Sequence, residues 1–198
     1  MLKIGITGGI ATGKSLVSAR LHQLDFPVID ADALARELVM PGEPGLQRVI
    51  AHFGSALLNA DGTLNRHALG ALVFNRPDEL KVLNALLHPL IQKRMERCIA
   101  RWAAAGSAAV FLDVPLLYES NMVSMCDRVI VVYTPADLQL RRLKARSPHD
   151  ADQAEARIAA QLPISEKCRR ATAVIDNSGS VDMTFHQLDE LLKAWQLQ

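Results

Sequence analysis

Short apolar runs recur along this chain, separated by longer segments in which apolar residues return every three or four positions. The runs are Leu2 to Thr7, Pro27 to Ile29, Ala109 to Asp113, Arg128 to Tyr133 and Ala173 to Ile175. They are mostly apolar without clean alternation, which is the pattern of central strands covered on both faces. Helical periods between them predict an α/β fold with a five-stranded parallel sheet. Between the second and third runs lies a long, mostly helical stretch, roughly Ala33 to Ala105, punctuated by Pro41-Gly42, Asp61-Gly62, Arg76-Pro77 and His88-Pro89. A crossover needs only about a dozen residues or somewhat more, so this stretch is read as an insertion large enough to hold a substrate. A second polar stretch, Arg146 to Pro163, opens at Ser147-Pro148 and is read as a helical lid. The expected organisation is a core of residues 1–32, 106–145 and 164–198, a helical substrate-binding insertion over 33–105 and a lid over 146–163.

Composition narrows the classes. A chain of 198 residues with 49% hydrophobic and 22% charged residues has ordinary globular usage and can bury one core. The formal net charge of +1 gives no global attraction to nucleic acid or to an anionic membrane, so neither is expected as a partner and any anion site must be local. Cys98, Cys126 and Cys168 show neither zinc nor disulfide spacing and suit a reducing compartment. The amino terminus lacks the charged and apolar regions of a signal peptide, and no apolar run reaches transmembrane length. A soluble, cytoplasmic monomer or small homo-oligomer is expected.

The chemistry begins at Gly8-Gly9-Ile10-Ala11-Thr12-Gly13-Lys14-Ser15, a G-x-x-x-x-G-K-S run directly after the first strand and before the segment Leu16 to Leu24. Glycines let backbone N–H groups turn around phosphate oxygens, Lys14 adds a cation at the β and γ phosphates, and Ser15 can ligate Mg²⁺. The expected fold is therefore a P-loop NTPase core. The guanine-reading N-K-x-D run is absent, and the D-x-x-G match at Asp176 to Gly179 stands near the end of the chain with no guanine signature after it. A kinase is favoured over a GTPase. An ATP-gated regulatory switch without a small-molecule acceptor, or a kinase for another nucleotide-like acceptor, stays open.

Further candidates carry two readings each. Asp30 and Asp32 end a short strand, and their spacing suits a base for an acceptor hydroxyl beside a second carboxylate, or a plain helix N-cap. Asp150-Ala151-Asp152 repeats the tripeptide with no preceding strand and looks like a helix start. Arg142 and Arg146 are four residues apart on one helix face, either bracing a phosphoryl group or simply solvated. Arg157 on the lid carries the same two readings. Asp113 closes an apolar strand, as a water-mediated Mg²⁺ holder or a cap. Leu116 and Leu117 contact substrate or pack, and His88 before Pro89 reads as a turn residue in preference to a catalytic acid or base.

Taken together, Thr7 to Ser15, Ile29 to Asp32 with Ala35-Arg36, Gly62 to Arg66, Leu83-Asn84 with His88-Pro89, Asp113 to Glu119, Gln139 with Arg142, Leu143 and Arg146, Arg157 with Gln161, and Ile175 to Asn177 resemble the dephospho-coenzyme A kinases. The resemblance spans nearly the whole chain. It implies transfer of the ATP γ-phosphoryl to the ribose 3′-hydroxyl of dephospho-coenzyme A, with Mg²⁺. Carried over, it implies Asp32 as base, with Lys14 and Arg142 also catalytic. It places Gly9, Ala11, Thr12, Gly13, Lys14, Ser15, Leu16, Arg146 and Asn177 at the nucleotide, Asp32, Arg36, His88, Leu116 and Leu117 at the acceptor, and Ser15 at the metal. Thr12 and Leu16 stand where the family more often has Ser and Thr, and Asn65 where it more often has Asp.

Overall fold

The computed structural model describes residues 1–74, 76–146 and 148–198. A five-stranded sheet is built from β1 (Leu2–Gly8), β2 (Val28–Asp30), β3 (Ala109–Asp113), β4 (Arg128–Tyr133) and β5 (Ala173–Asp176), in the order β2-β3-β1-β4-β5. β1 pairs in parallel with β3 (Ile4 opposite Phe111) and with β4 (Ile6 opposite Ile130), and β4 pairs in parallel with β5. On the β2 side of β3, the Phe111 N–H donates to the Pro27 carbonyl at 2.8 Å. All five expected strands are present.

The helices are α1 (Lys14–Gln23), α2 (Ala31–Glu37), α3 (Pro44–Phe53), α4 (Arg66–Phe74), α5 (Pro77–Ala104), α6 (Ala136–Arg146), α7 (Ala154–Ala159), α8 (Ile164–Arg170) and α9 (Val181–Ala194). The chain divides into two compact units, residues 1–29 with 101–198, and residues 30–100. In the first, Ile4, Ile6, Phe111, Ile130, Val132 and Ile175 of the sheet pack with Val17 and Leu21 of α1 and Leu188 and Leu192 of α9. Each such side chain contributes roughly 1.5–3 kcal/mol on full burial. This explains why the strands read as continuous apolar runs: the central ones have no solvent face, and all of β3 is buried. In the second unit, Val39, Leu46, Val49, Leu57, Leu64, Leu69 and Val73 form a separate core.

Local chemistry sets the element boundaries. The Asp30 carboxylate accepts from the N–H groups of Asp32 (2.8 Å) and Ala33 (3.0 Å), which starts α2. Asn65 does the same for Ala68 at 2.9 Å, so amide in place of carboxylate leaves that cap intact. Ser180 caps α9 through the Met183 N–H at 3.2 Å. Gly62, at φ 78°, makes the turn expected at Asp61-Gly62. One expected break is absent: α5 runs through His88-Pro89 without ending, with Pro89 inside the helix. Proline removes one backbone donor and disfavours helix in the residue before it, yet burial of Ile91 and Met95 on the far side carries the helix onward. His88 is therefore a helical residue and not a turn residue.

The stretch read as a lid holds a 3₁₀ segment, Pro148–Gln153, followed by α7. Asp150-Ala151-Asp152 lies inside that 3₁₀ segment and does not start an α-helix. Ser147 lies outside the described residues. Among the described residues, no helix is long and apolar enough to cross a membrane.

Candidate active site

The turn from β1 into α1 carries the conformations its residue types require. Gly13 stands at φ 89°, where a Cβ would be strained and would collide with Nδ2 of Asn177. Ala11 takes φ 60°, a left-handed conformation that costs an L-residue roughly 1–2 kcal/mol and persists because neighbouring contacts over-determine it. Those contacts are specific. Buried Thr12 donates through Oγ1 to the Gly9 carbonyl at 2.9 Å. Its own carbonyl accepts from Asn177 Nδ2 at 2.8 Å and lies 3.1 Å from Thr134 Oγ1. Thr184 Oγ1 donates to Asn177 Oδ1 at 2.9 Å, fixing the amide. The Ile10 peptide is held at both ends: Gln139 Nε2 donates to its carbonyl at 2.7 Å and Gln161 Oε1 accepts from its N–H at 2.8 Å. A loop held this way presents its N–H groups and the α1 amino terminus without reorganisation.

Lys14 and Ser15 occupy the first turn of α1, with Ser15 exposed. The Lys14 ammonium pairs with Asp113 at the end of β3. The other Asp113 oxygen accepts from Ser18 Oγ at 2.6 Å, and Asp113 is buried. Asp113 is thus tied to α1 and caps no helix. Ser18 escaped the sequence reading, although its position one helical turn after Lys14 puts it on the same face.

The Arg142 guanidinium donates to the Asn177 carbonyl at 2.9 Å and to Thr134 Oγ1 at 3.3 Å, so α6, β4 and the end of β5 converge on the Thr12 carbonyl. Arg142 is half-buried, while Arg146, the last residue of α6, is exposed; the two do not share one environment. Asn177, expected at the nucleotide, is buried and holds the loop through Thr12 and Thr134. Leu16 is half-buried on α1. Arg157 is half-buried on α7. In the loop after β3, Leu116 is 44% exposed and Leu117 fully buried. The Leu117 side chain packs against β1 at Gly5. It belongs to the core, the packing alternative of the two readings given for these leucines.

In the other unit, Asp30 is the cap of α2, and Asp32 is exposed in its first turn. The two carboxylates do not lie on one extended strand end, because capping bends the chain into helix at Ala31. Arg36 is exposed with its guanidinium 3.9 Å from Asp30, and its carbonyl accepts from Arg66 at 3.2 Å. His88 is half-buried on α5, and burial holds its imidazole below the ordinary histidine range. Among the described residues, no cluster of three or more His, Cys, Asp or Glu side chains is arranged to hold a metal.

The dephospho-CoA kinase family model matches residues 2–183. The chain belongs to the dephospho-CoA kinase family. It is 47% identical over 194 residues to a dephospho-CoA kinase from Geobacillus kaustophilus, covering 98% of this chain and 96% of that one. A crystal structure from Thermus thermophilus aligns with TM-score 0.81 at 35% identity, over 98% of this chain and 97% of that one. A dephospho-CoA kinase from Campylobacter jejuni aligns with TM-score 0.72 at 28% identity, over 97% and 98%. Within this family frame, Thr12 keeps the hydroxyl a serine would supply and uses it on the Gly9 carbonyl, while Leu16 departs without disturbing the start of α1.

Proposed function

We propose that this chain transfers the γ-phosphoryl group of ATP to the 3′-hydroxyl of the ribose of dephospho-coenzyme A, the last step of coenzyme A synthesis. The observation that supports it best is the phosphate loop Gly8 to Ser15, held in place by Gln139, Gln161, Thr134 and Asn177, in a chain that belongs to the dephospho-CoA kinase family. Phosphoryl transfer asks the protein mainly for positioning and for charge stabilisation. Backbone N–H groups of the loop other than those of Ile10, held by Gln161, and Thr12, held by the Gly9 carbonyl, cradle the phosphates. Lys14 leaves Asp113 for the β and γ phosphates, and Asp113 with Ser18 guides it there. Arg142, anchored on the Asn177 carbonyl, keeps the loop rigid and adds positive potential, and Arg146 and Arg157 supply further positive charge. Asp32 accepts the proton of the attacking hydroxyl, with Arg36, Leu116 and His88 on the acceptor side.

Magnesium suits this residue set, since it takes one or two protein oxygens together with phosphates and needs no dedicated protein cage. Ser15, exposed in the first turn of α1, is the residue that would hold it. When bound, the ion neutralises charge on the β and γ phosphates.

The test is ATP consumption over a panel of dephospho-coenzyme A, adenosine, nucleoside monophosphates, shikimate and gluconate, with the phosphorylated position identified by NMR. Dephospho-coenzyme A alone should couple efficiently, with the new phosphate at the 3′ position. Efficient turnover of another acceptor alone, or hydrolysis independent of any acceptor, would overturn the reading.

A further inference from the structure

Among the described residues, the most deeply buried charge outside the phosphate-binding turn is Lys167 on α8, whose side chain is 0% exposed. An isolated ammonium in an apolar interior is strongly destabilising, and it persists only where acceptors satisfy it. Lys167 has three. Its Nζ lies 2.8 Å from Glu119 Oε1, 3.1 Å from the Gly8 carbonyl and 3.4 Å from the Pro115 carbonyl, one acceptor for each donor. A leucine at this position would anchor α8 to the sheet without the desolvation cost. What only the ammonium can do is hold those three oxygens in fixed places.

One of the three, the Gly8 carbonyl, belongs to the phosphate loop. Gly8 is its first residue, and in a planar trans peptide the carbonyl and the following N–H point in opposite directions. Holding the Gly8 carbonyl against Lys167 therefore orients the Gly9 N–H away from α8. Two residues on, the Ile10 N–H is held by Gln161. A second oxygen leads elsewhere, because Glu119 Oε1 also accepts from the Leu162 N–H at 3.0 Å. Gln161 and Leu162 follow α7 and Lys167 lies on the next helix, α8, so the stretch 161–167 grips the loop at Gly8 and at Ile10 and is itself held by Glu119. The Pro115 carbonyl is further held by Thr7 Oγ1 at 2.9 Å, which ties the loop after β3 to the last turn of β1.

We propose that Lys167 is a positioning residue for the phosphate loop, acting on the Gly8 carbonyl from behind and, through Glu119 and Leu162, linking the loop's conformation to the carboxyl end of α7. It touches no phosphate. Its effect is on ATP and not on the acceptor. The inference rests on the reading that this loop binds ATP.

The test compares wild type, Lys167→Met, and Lys167→Met combined with Glu119→Gln. The double variant removes both members of the ion pair, so an unpaired Glu119 carboxylate does not confuse the result. Thermal midpoints, ADP affinity by calorimetry, and KM for ATP and for dephospho-coenzyme A are measured on the full chain. Losing one hydrogen bond that orients a loop peptide should raise the ADP Kd and the ATP KM of the double variant about tenfold, with the dephospho-coenzyme A KM within about twofold and the protein folded. A rise below about threefold, or an equal rise in both KM values, would overturn the proposal, since a general loss of structure moves both. A double variant that does not fold also overturns it, because Lys167 is then a core residue. If wild type itself fails to bind ADP, the ATP reading falls and takes this brace with it. If wild type binds ADP and the double variant binds equally well, the brace alone falls.

Discussion

Lys14 and Asp113 form a pair that phosphates would open in the proposed role, and this sets what a single substitution should do. Lys14→Ala removes the cation that the β and γ phosphates would meet, and turnover should fall at least about a hundredfold, as on losing one strong electrostatic stabiliser. The fold should survive with some loss of stability, because buried Asp113 loses its cation but keeps its bond from Ser18; a circular dichroism spectrum like that of wild type, beside the lost turnover, checks both halves. Asp30 and Asp32 were interchangeable as text, and the fold separates them. Asp30→Ala should cost about 0.5–2 kcal/mol of stability by removing the α2 cap, whereas Asp30→Asn should cost little. Asp32→Asn should leave the melting temperature unchanged and lower turnover at least about a hundredfold, the usual contribution of a general base. An Asp32→Asn enzyme with more than about half of wild-type turnover would remove Asp32 from that role, because a base that matters leaves a larger deficit.

At the scale of elements, α5 and the segment around α7 behave differently from their text. In α5, Pro89 is tolerated because the flanking turns bury apolar side chains, and His88 is carried into a half-buried position. Burial holds the folded-state pKa of His88 below its ordinary value of 6.5. The unfolded chain then binds the proton more readily, so stability from this group is fully present above about pH 6.5 and is lost as pH falls toward the folded pKa. Urea unfolding at pH 7.5 and 5.5 should show wild type losing more stability on acidification than His88→Gln; equal losses would count against burial as the cause. Near α7, Gln161 and Leu162 are tied to Ile10 and Glu119, so loading the phosphate loop should steady this stretch. Amide exchange over residues 154–163 should slow when ATP and dephospho-coenzyme A are both present. Identical exchange with and without them would mark a fixed surface helix.

At the scale of the whole molecule, the nucleotide should act as a stabiliser of the unit that holds the sheet. A ligand that binds only the folded state adds roughly 2.7 kcal/mol at a hundred times its Kd. ADP should therefore raise the thermal midpoint of wild type by several degrees and that of Lys14→Ala by less. An identical shift in both would argue that the loop does not carry the affinity.

The alternation of apolar runs with helical periods determined the sheet, because strands covered on both faces are mostly apolar, and this leaves a clear trace in one dimension. The phosphate loop was equally legible, since Gly, Lys and Ser stand at fixed spacing between a strand and a helix. Tertiary structure decided what no spacing encodes. It assigned the α2 cap to Asp30, buried Leu117 against Gly5, carried α5 across Pro89, and turned Asn177 and Arg142 onto the back of the loop at Thr12 and Thr134. Lys167 is the sharpest case. Among the charged residues of α8 it looks like any solvated lysine, and only contacts with Gly8, Pro115 and Glu119, 48 to 159 positions away in the chain, make it a buried cation. Long-range contacts of this kind are made by packing, and a local pattern does not contain them.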